Sequence, residues 1–383
     1  MNAERFTIAI SDALLGDLNQ RLAATRFPHS LNPESWEDGA SLAFMQRLVG
    51  YWREEFDWRS QERRLNELPH YQGTVDGLRV HFIHKKGQGP SPLPIILTHG
   101  WPGSFIEMER LIGLLAEPEK HGADPADAFD VVAPSLPGFG FSGAPPTTGF
   151  SSRKVAKVWG SLMTELGYPQ FAAQGGDIGA AVSMWLARQL PERLLGVHLN
   201  YIPGSFRPTP DESTSPVTED EQAFLASAKQ WLESEGAYTA IQSTKPLTLS
   251  YGLSDSPAGL AAWISEKFRT WSDCGGDVER AVSLDDLLTN ISLYWFSGTL
   301  DSTLRIYKEN RLEPLTFAKG ERVTPPLGMA SFPKELPTPP RSWVERVFNV
   351  RRWTAMPRGG HFAALEQPEL LAGEIRAFFR PMR

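Results

Sequence analysis

Cysteine, basic charge and long apolar runs are all scarce in this sequence of 383 residues. The single cysteine, Cys274, excludes an intramolecular disulfide and a cysteine-rich metal site, which suits a reducing compartment. The net charge of -7 argues against nucleic acid or an anionic membrane as the main partner. No apolar run approaches the ~18 residues of a membrane span, and the first residues do not resemble a signal peptide. We therefore expect a soluble, cytoplasmic protein without a membrane anchor.

Short apolar runs alternate with helical patterns in the first half of the chain. The runs LPIILTHG and FDVVAPSLPG are rich in β-branched residues and are closed by glycine, with helical IEMERLIGLLAEP between them. The alternation continues through QGGDIG to LLGVHLNYIPG. Strands that alternate with helices indicate a parallel sheet with crossover helices.

The pattern divides the chain into four parts. Residues 1–72 are predicted to form an N-terminal helical extension, and residues 73–202 the first half of an α/β core, opened by a hairpin turn at Asp76 and Gly77. Residues 203–310 contain only helical segments, and strand patterns resume in residues 311–383. The helical block therefore resembles a lid inserted into the core, and its aromatic content suits the roof of an apolar cavity.

The segment QGGDIG, residues 174–179, stands between a predicted strand and a predicted helix. A strand, a tight glycine turn and a helix form the nucleophile elbow of α/β-hydrolases, whose motif is G-x-S-x-G. Here Asp177 occupies the position of the serine. We therefore predict an α/β-hydrolase fold with a mostly parallel sheet, a helical lid insertion and an N-terminal helical extension. Either the site is inactive, or its chemistry is one that prefers a carboxylate nucleophile, which can attack an alkylating substrate without first losing a proton.

A base and an orienting acid should follow this nucleophile along the chain. In this fold the order is nucleophile, acid and then a histidine after the last strand. His361 in RGGHFAALEQP satisfies that order, whereas His99 precedes the nucleophile and is expected to order its own loop. Glu335 in SFPKELP, at the end of a predicted strand, is the favoured acid, with Asp301 and Asp255 as rivals inside the helical block.

Two further loops contain closely spaced glycines. HGWPG at residues 99–103 follows a core strand, so the backbone N–H groups of Trp101 and Ile178 are expected to form an oxyanion hole. GFGFSG at residues 138–143 matches the dinucleotide motif G-x-G-x-x-G, but it follows a loop and opens no helix. We interpret it as a plain turn that lines the site.

Six segments together resemble epoxide hydrolases of the microsomal type, and the resemblance covers nearly the whole chain. They are HGWPGS, QGGDIGA, AYTAIQSTKP, LYWFSGTLDSTLRIYKEN, SFPKE and GGHFAALEQP, joined by YWREEFDWRSQERRLNELPHY in the N-terminal region. The resemblance implies Asp177 as nucleophile, His361 as base and Glu335 as its partner. It also implies two lid tyrosines, Tyr238 and Tyr307, as proton donors. The implied substrates are a hydrophobic epoxide and water, with no cofactor and no metal.

Two alternatives from different classes stay open at this point. A haloalkane or haloacid dehalogenase uses the same aspartate, ester and histidine, but it commonly has a tryptophan directly after the nucleophile, where this chain has Ile178. A non-catalytic binding protein with a hydrolase fold is the second alternative, and the intact set of three residues in the required order argues against it. The sequence leaves open the physiological epoxide, a role in detoxification or in biosynthesis, and the oligomeric state, with a homodimer as one option.

Overall fold

A nine-stranded sheet forms the centre of the molecule, described here by a computed structural model for residues 3–208 and 218–383. The strands lie in the order β1-β2-β3-β5-β4-β6-β7-β8-β9, and the pairs from β5 to β9 are parallel. Their bounds are β1 Glu4–Arg5, β2 His70–Val75, β3 Leu78–Lys85, β4 Leu93–Thr98, β5 Phe129–Pro134, β6 Phe171–Gly175, β7 Leu194–Leu199, β8 Val323–Ser331 and β9 Phe348–Ala355. The mostly parallel sheet predicted from the alternating pattern is confirmed.

The helices fall into three groups along the chain. The N-terminal group is α1 Asp12–Ala23, α2 Leu42–Glu54 and α3 Trp58–Leu65. The core group is α4 Glu109–Ala116, α5 Ser152–Glu165, α6 Asp177–Gln189, α13 Arg341–Val344, α14 Ala363–Glu366 and α15 Pro368–Phe379. The lid group is α7 Glu219–Glu235, α8 Ala237–Thr244, α9 Pro246–Asp255, α10 Pro257–Trp271, α11 Leu284–Ser297 and α12 Leu300–Leu312.

The central strands are continuous apolar runs because helices cover both of their faces. In β4, Ile95, Ile96 and Leu97 are fully buried, and every residue of β5 is buried. This is the pattern expected of parallel strands, whose crossover helices exclude water from both sides of the sheet. The carboxyl ends of β4 and β6 pair side by side, so the loops that follow them meet at one edge of the sheet.

The N-terminal extension contains short strand segments besides its three helices, which the prediction for residues 1–72 did not include. It contributes β1 and the first residues of β2, which pair antiparallel with each other at the edge of the sheet. The predicted hairpin follows, with φ of 48° at Asp76 and 78° at Gly77. Strand β1 is only two residues long and both are exposed, so it has none of the apolar alternation by which a strand is recognised.

The helices of the extension pack against the lid. The indole N–H of Trp52 on α2 donates to Ser292 Oγ on α11 at 3.1 Å, and the Trp58 ring lies 4.9 Å from the ring of Phe296. Extension and lid therefore support each other above the core. Across the residues that the structure describes, no helix is both long and apolar enough to cross a bilayer.

Candidate active site

The turn between β6 and α6 holds Asp177 in a conformation that side chains rarely adopt. Asp177 has φ of 47°. The neighbouring positions must be glycine, because other parts of the backbone lie too close for a side chain. A Cβ on Gly175 would lie 2.2 Å from the carbonyl oxygen of Gly179, and a Cβ on Gly179 would lie 1.9 Å from the carbonyl oxygen of Thr98. Such a strained turn projects the side chain of its central residue from the end of the sheet.

The two carboxylate oxygens of Asp177 have different surroundings. Oδ1 accepts a hydrogen bond of 2.8 Å from the backbone N–H of Trp101. The N–H of Ile178 belongs to the first turn of α6, where a backbone donor has no acceptor within the helix and the helix dipole favours negative charge. Oδ2 lies 3.4 Å from Nε2 of His361. One oxygen is thus held by the backbone N–H of Trp101, and the other faces the imidazole.

His361 stands between two carboxylates. Its Nδ1 lies 2.5 Å from Oε1 of Glu335, which also accepts from the backbone N–H of Leu336 at 2.7 Å. The backbone N–H of His361 donates to the carbonyl of Trp271 at the end of α10. Burial opposes a charge on the imidazole, but the carboxylates of Glu335 and Asp177 outweigh it and raise the pKa of His361 well above its ordinary value. The arrangement fixes the tautomer with Nε2 toward Asp177.

The other candidate acids and the second candidate base lie elsewhere. Asp255 is 84% exposed and forms an ion pair with Arg21, and Asp301 is exposed in the first turn of α12. His99 is buried, with Nδ1 3.0 Å from the Gly100 carbonyl and Nε2 accepting from a backbone N–H at 3.1 Å. Burial lowers the pKa of His99 to about 4, so this ring is neutral and orders the loop after β4.

The two lid tyrosines meet over the same site. The phenol groups of Tyr238 on α8 and Tyr307 on α12 hydrogen-bond to each other, and their rings lie 5.8 Å apart. The indole of Trp101 stacks on Tyr238 with 5.4 Å between centroids and an interplanar angle of 8°. Burial and the charge of Asp177 raise the pKa of both phenols above their ordinary value, so both remain protonated at neutral pH.

A cavity of about 750 Å³ lies beneath the lid, and its wall includes Asp177, Tyr238 and Tyr307. Aromatic and aliphatic side chains make up much of the rest, among them Met184, Trp185, Leu225, Trp231 and Leu336. Volumes of this order accommodate a drug-sized ligand. The turn of residues 138–143 does not line this cavity, contrary to its prediction. It lies behind His99, whose ring is 5.5 Å from that of Phe139. The turn does not open a helix, because the next helix along the chain, α5, begins at Ser152.

Several residues of the site are not evident from the sequence. The ring of Tyr201, after β7, makes an edge contact with the imidazole of His361 at 5.3 Å between centroids. Glu366 accepts from the backbone N–H groups of Asp273, Gly360 and Phe362, so it ties the loop of His361 to the end of α10. Glu366 lies in the segment GGHFAALEQP that contains the base, which could have indicated a role in the site. Its spacing alone does not distinguish it from a surface carboxylate.

Comparison with known proteins bears on the chemistry of this site. The model of the epoxide hydrolase N terminus matches residues 3–108, and that of the alpha/beta hydrolase fold matches residues 94–239. The chain is 46% identical to a protein of Stigmatella aurantiaca that carries a provisional epoxide hydrolase name, over 99% of this chain and 85% of that protein. It is 38% identical to epoxide hydrolase 1 of Oryctolagus cuniculus, over 97% of this chain and 88% of that protein. The solved structure of the Aspergillus niger epoxide hydrolase, 31% identical, superposes with a TM-score of 0.88 over 100% of this chain and 97% of that one.

Proposed function

The chain belongs to the microsomal-type epoxide hydrolases, which are hydrolases acting on ether bonds, and from this premise we propose that it converts a hydrophobic epoxide to a vicinal diol through an ester of Asp177. The proposal rests on one observation: the two carboxylate oxygens of Asp177 have different neighbours. Oδ1 of Asp177 accepts from Trp101 N–H, and Oδ2 faces His361, which Glu335 orients.

In the first half of the reaction, Oδ2 of Asp177 attacks a ring carbon and the C–O bond of the epoxide breaks. Oδ2 is the attacking atom because Oδ1 is engaged by a backbone donor. The electron pair of the broken bond remains on the ring oxygen as an alkoxide. An ionised carboxylate needs no base for this displacement, which is why aspartate suits the chemistry better than serine.

The developing alkoxide takes its proton from the lid phenols. Tyr238 and Tyr307 share one hydrogen bond and line the same cavity as Asp177. One phenol donates the proton, while its hydrogen bond to the other spreads the charge that remains on the phenolate. General-acid assistance of this kind contributes typically 10²–10⁴-fold to a rate.

In the second half, water attacks Cγ of the ester and His361 takes its proton. The charge develops on Oδ1, between the N–H groups of Trp101 and Ile178. When the Cγ–O bond to the alkyl group breaks, the imidazolium returns the proton to the departing diol. The acid proton left on Asp177 neutralises the phenolate, so the atoms and charges balance over one turnover. Formation of the ester also removes one of the two charges that stabilise the imidazolium. The pKa of His361 therefore falls, and the ring more readily stands in the neutral form that can accept a proton from water.

The size and lining of the cavity suit an epoxide with a bulky hydrophobic group. A cytoplasmic setting is part of the proposal, supported by the single cysteine, Cys274, which is free and buried.

Trapping the ester tests the proposal. In His361→Gln, Asp177 should still attack the epoxide, so intact-mass measurement should find the protein heavier by the mass of the substrate. Peptide mapping should locate the adduct on Asp177. Asp177→Asn serves as the control and should gain no mass. Release of halide from a haloalkane of matched size, without diol formation from any epoxide, would instead favour the dehalogenase.

A further inference from the structure

A second, much smaller cavity adjoins the nucleophile on the side away from the lid. Its volume is about 10 Å³, and its wall includes Asp177, His361, Glu107 and Asn200. A cavity of roughly this volume holds one water molecule, provided that two to four polar groups surround it. The same cavity is bounded by the backbone of Trp101, whose N–H contacts Oδ1 of Asp177.

Glu107 is a partly buried ionisable group on the wall of this cavity, and the mechanism above does not use it. It lies in the short 3-10 helix Phe105–Met108 that precedes α4. Placing a carboxyl group in such surroundings is unfavourable unless it is neutral or has a partner. The chain makes room for it, because a Cβ on Gly103 would lie 1.3 Å from Oε1 of Glu107. Glycine at position 103 is therefore required for the carboxyl group to reach its place beside the nucleophile.

We propose that this cavity is the site of the hydrolytic water and that Glu107 is a positioning residue for that water in the second half of the reaction. The inference rests on the proposed function, since it concerns hydrolysis of the Asp177 ester. A water in the cavity donates one hydrogen bond to Nε2 of His361, which takes that proton during the attack, and donates a second hydrogen bond to an oxygen of Glu107 without transferring the proton. Its lone pair is then directed at Cγ of Asp177, and no further bond is made or broken.

The charge state of Glu107 suits this role. Burial raises the pKa of Glu107 to about 8, with His361 opposing the shift and the carboxylates of Asp177 and Glu366 adding to it. The phenol of Tyr294 on α11 also faces it, and the neutral ring of His99 lines the same cavity. A neutral carboxyl still accepts a hydrogen bond through its carbonyl oxygen, but it does not compete with His361 for the proton. An ionised Glu107 would place a second negative charge beside the oxyanion and oppose its formation.

Step-resolved single turnovers test the role with Glu107→Met and Gly103→Ala. The first removes the polar group at similar length, and the second displaces the carboxyl group while keeping it. Acid quenching followed by intact-mass measurement gives the rates of ester formation and ester loss. We expect both variants to lose ester at least about tenfold more slowly, since orientation is what they remove, with ester formation within about twofold of the parent. The double variant should be no slower than Glu107→Met, because both changes act on one contact.

Glu109→Met is the matched control. Glu109 stands two residues away, and its carboxylate pairs with Arg64 at 3.0 Å outside the cavity. It should change neither step. Unaltered ester loss in both test variants, or an equal slowing of both steps, overturns the inference. If Glu107→Met does not fold, Gly103→Ala decides alone. If the parent enzyme forms no ester at all, the proposed function itself fails, and this outcome is distinct from the other two.

The pH dependence of ester loss separates positioning from packing. The charge of Asp177 helps to raise the pKa of Glu107 in the free enzyme, and the ester removes that charge, so the pKa of Glu107 is lower in the ester. In the parent enzyme, the rate of ester loss should fall as pH rises through this lowered pKa. This fall is additional to the rise with pH that deprotonation of His361 produces. Glu107→Gln keeps an acceptor oxygen but does not ionise, so it should lose ester within about threefold of the parent rate and show no such fall. A decline at the same pH in Glu107→Gln contradicts the inference, because the titrating group would then be another residue.

Discussion

At the scale of single residues, the two lid phenols carry the step that opens the ring. We expect Tyr238→Phe and Tyr307→Phe each to slow ester formation, and the double variant to slow it by about 10²–10⁴-fold, the range of general-acid assistance. The two donors hydrogen-bond to each other, so each can replace the other in part. Rapid-quench measurement of ester formation and ester loss checks this. Unchanged ester formation in the double variant would show that the phenols only pack in the lid.

Glu335 is expected to act only in the hydrolytic half. Glu335→Gln should leave ester formation within a few-fold of the parent and slow release of the diol. The carboxylate of Glu335 helps raise the pKa of His361. Hydrolysis needs the neutral imidazole, so the rate of ester loss rises with pH through that pKa, and removing the carboxylate should move the rise to lower pH. Single turnovers across a pH series measure both effects. Normal turnover with an unshifted profile would return the role of orienting acid to another residue.

The residues that are evident from the sequence are those with a motif around them. Asp177 replaces serine in a glycine-flanked turn, and His361 follows the last strand, so type and position both identify them. Glu107 has neither advantage, since it stands in an amphipathic helical pattern and resembles a solvated surface residue. Its role as a partner of the site depends on the absence of a side chain at Gly103. Contacts of this kind depend on where the backbone lies and leave no periodicity in the sequence.

At the scale of elements, the elbow depends on the closest approach of α6 to the sheet. Gly179→Ala would place a methyl group 1.9 Å from the Thr98 carbonyl oxygen and force α6 away from β4. We expect a loss of about 1–3 kcal/mol in the free energy of unfolding, as for other overpacked interiors, together with loss of ester formation because Asp177 moves with the helix. Denaturant unfolding and single-turnover assays measure the two effects.

Gly373→Ala, in the interior of α15, is the matched control for that substitution. No atom lies within 4 Å of its added methyl group, and alanine favours a helix over glycine by up to about 1 kcal/mol. The control should therefore raise stability slightly and leave activity unchanged. Equal stability of Gly179→Ala and the parent would mean that the contact between α6 and β4 is not as tight as described.

The local sequence pattern predicts the central strands of the sheet but does not predict strand β1 at its edge. Strands β4 to β7 are apolar runs closed by glycine, a pattern that local sequence contains. Strand β1 has two residues, Glu4 and Arg5, both exposed. Its existence depends on pairing with β2, a contact across more than sixty residues of sequence, as in Glu4 opposite Gln72. Such pairing is decided by tertiary structure, which can override local preference.

At the scale of the whole molecule, the lid determines what the enzyme accepts. The cavity draws its wall from α6, α7, α8 and α12 together. A sequence can indicate that this wall is apolar, but the volume follows from how the lid helices close over the sheet. The chemistry is therefore more predictable than the substrate, because the nucleophile, the base and the orienting acid stand on one turn and two loops of the core. Selectivity depends on the assembly of separate elements.

The central claim is that Asp177 is the nucleophile, and the origin of the oxygen atom that enters the diol tests it most directly. In a single turnover in ¹⁸O-labelled water, with enzyme in excess, attack by Asp177 gives an unlabelled diol and leaves the label in the Asp177 side chain. Later turnovers then release labelled diol, as the exchanged carboxylate oxygens are used. Direct attack on the epoxide by a water that His361 activates gives the opposite result. A labelled diol in the first turnover, with no label in Asp177, would contradict the account.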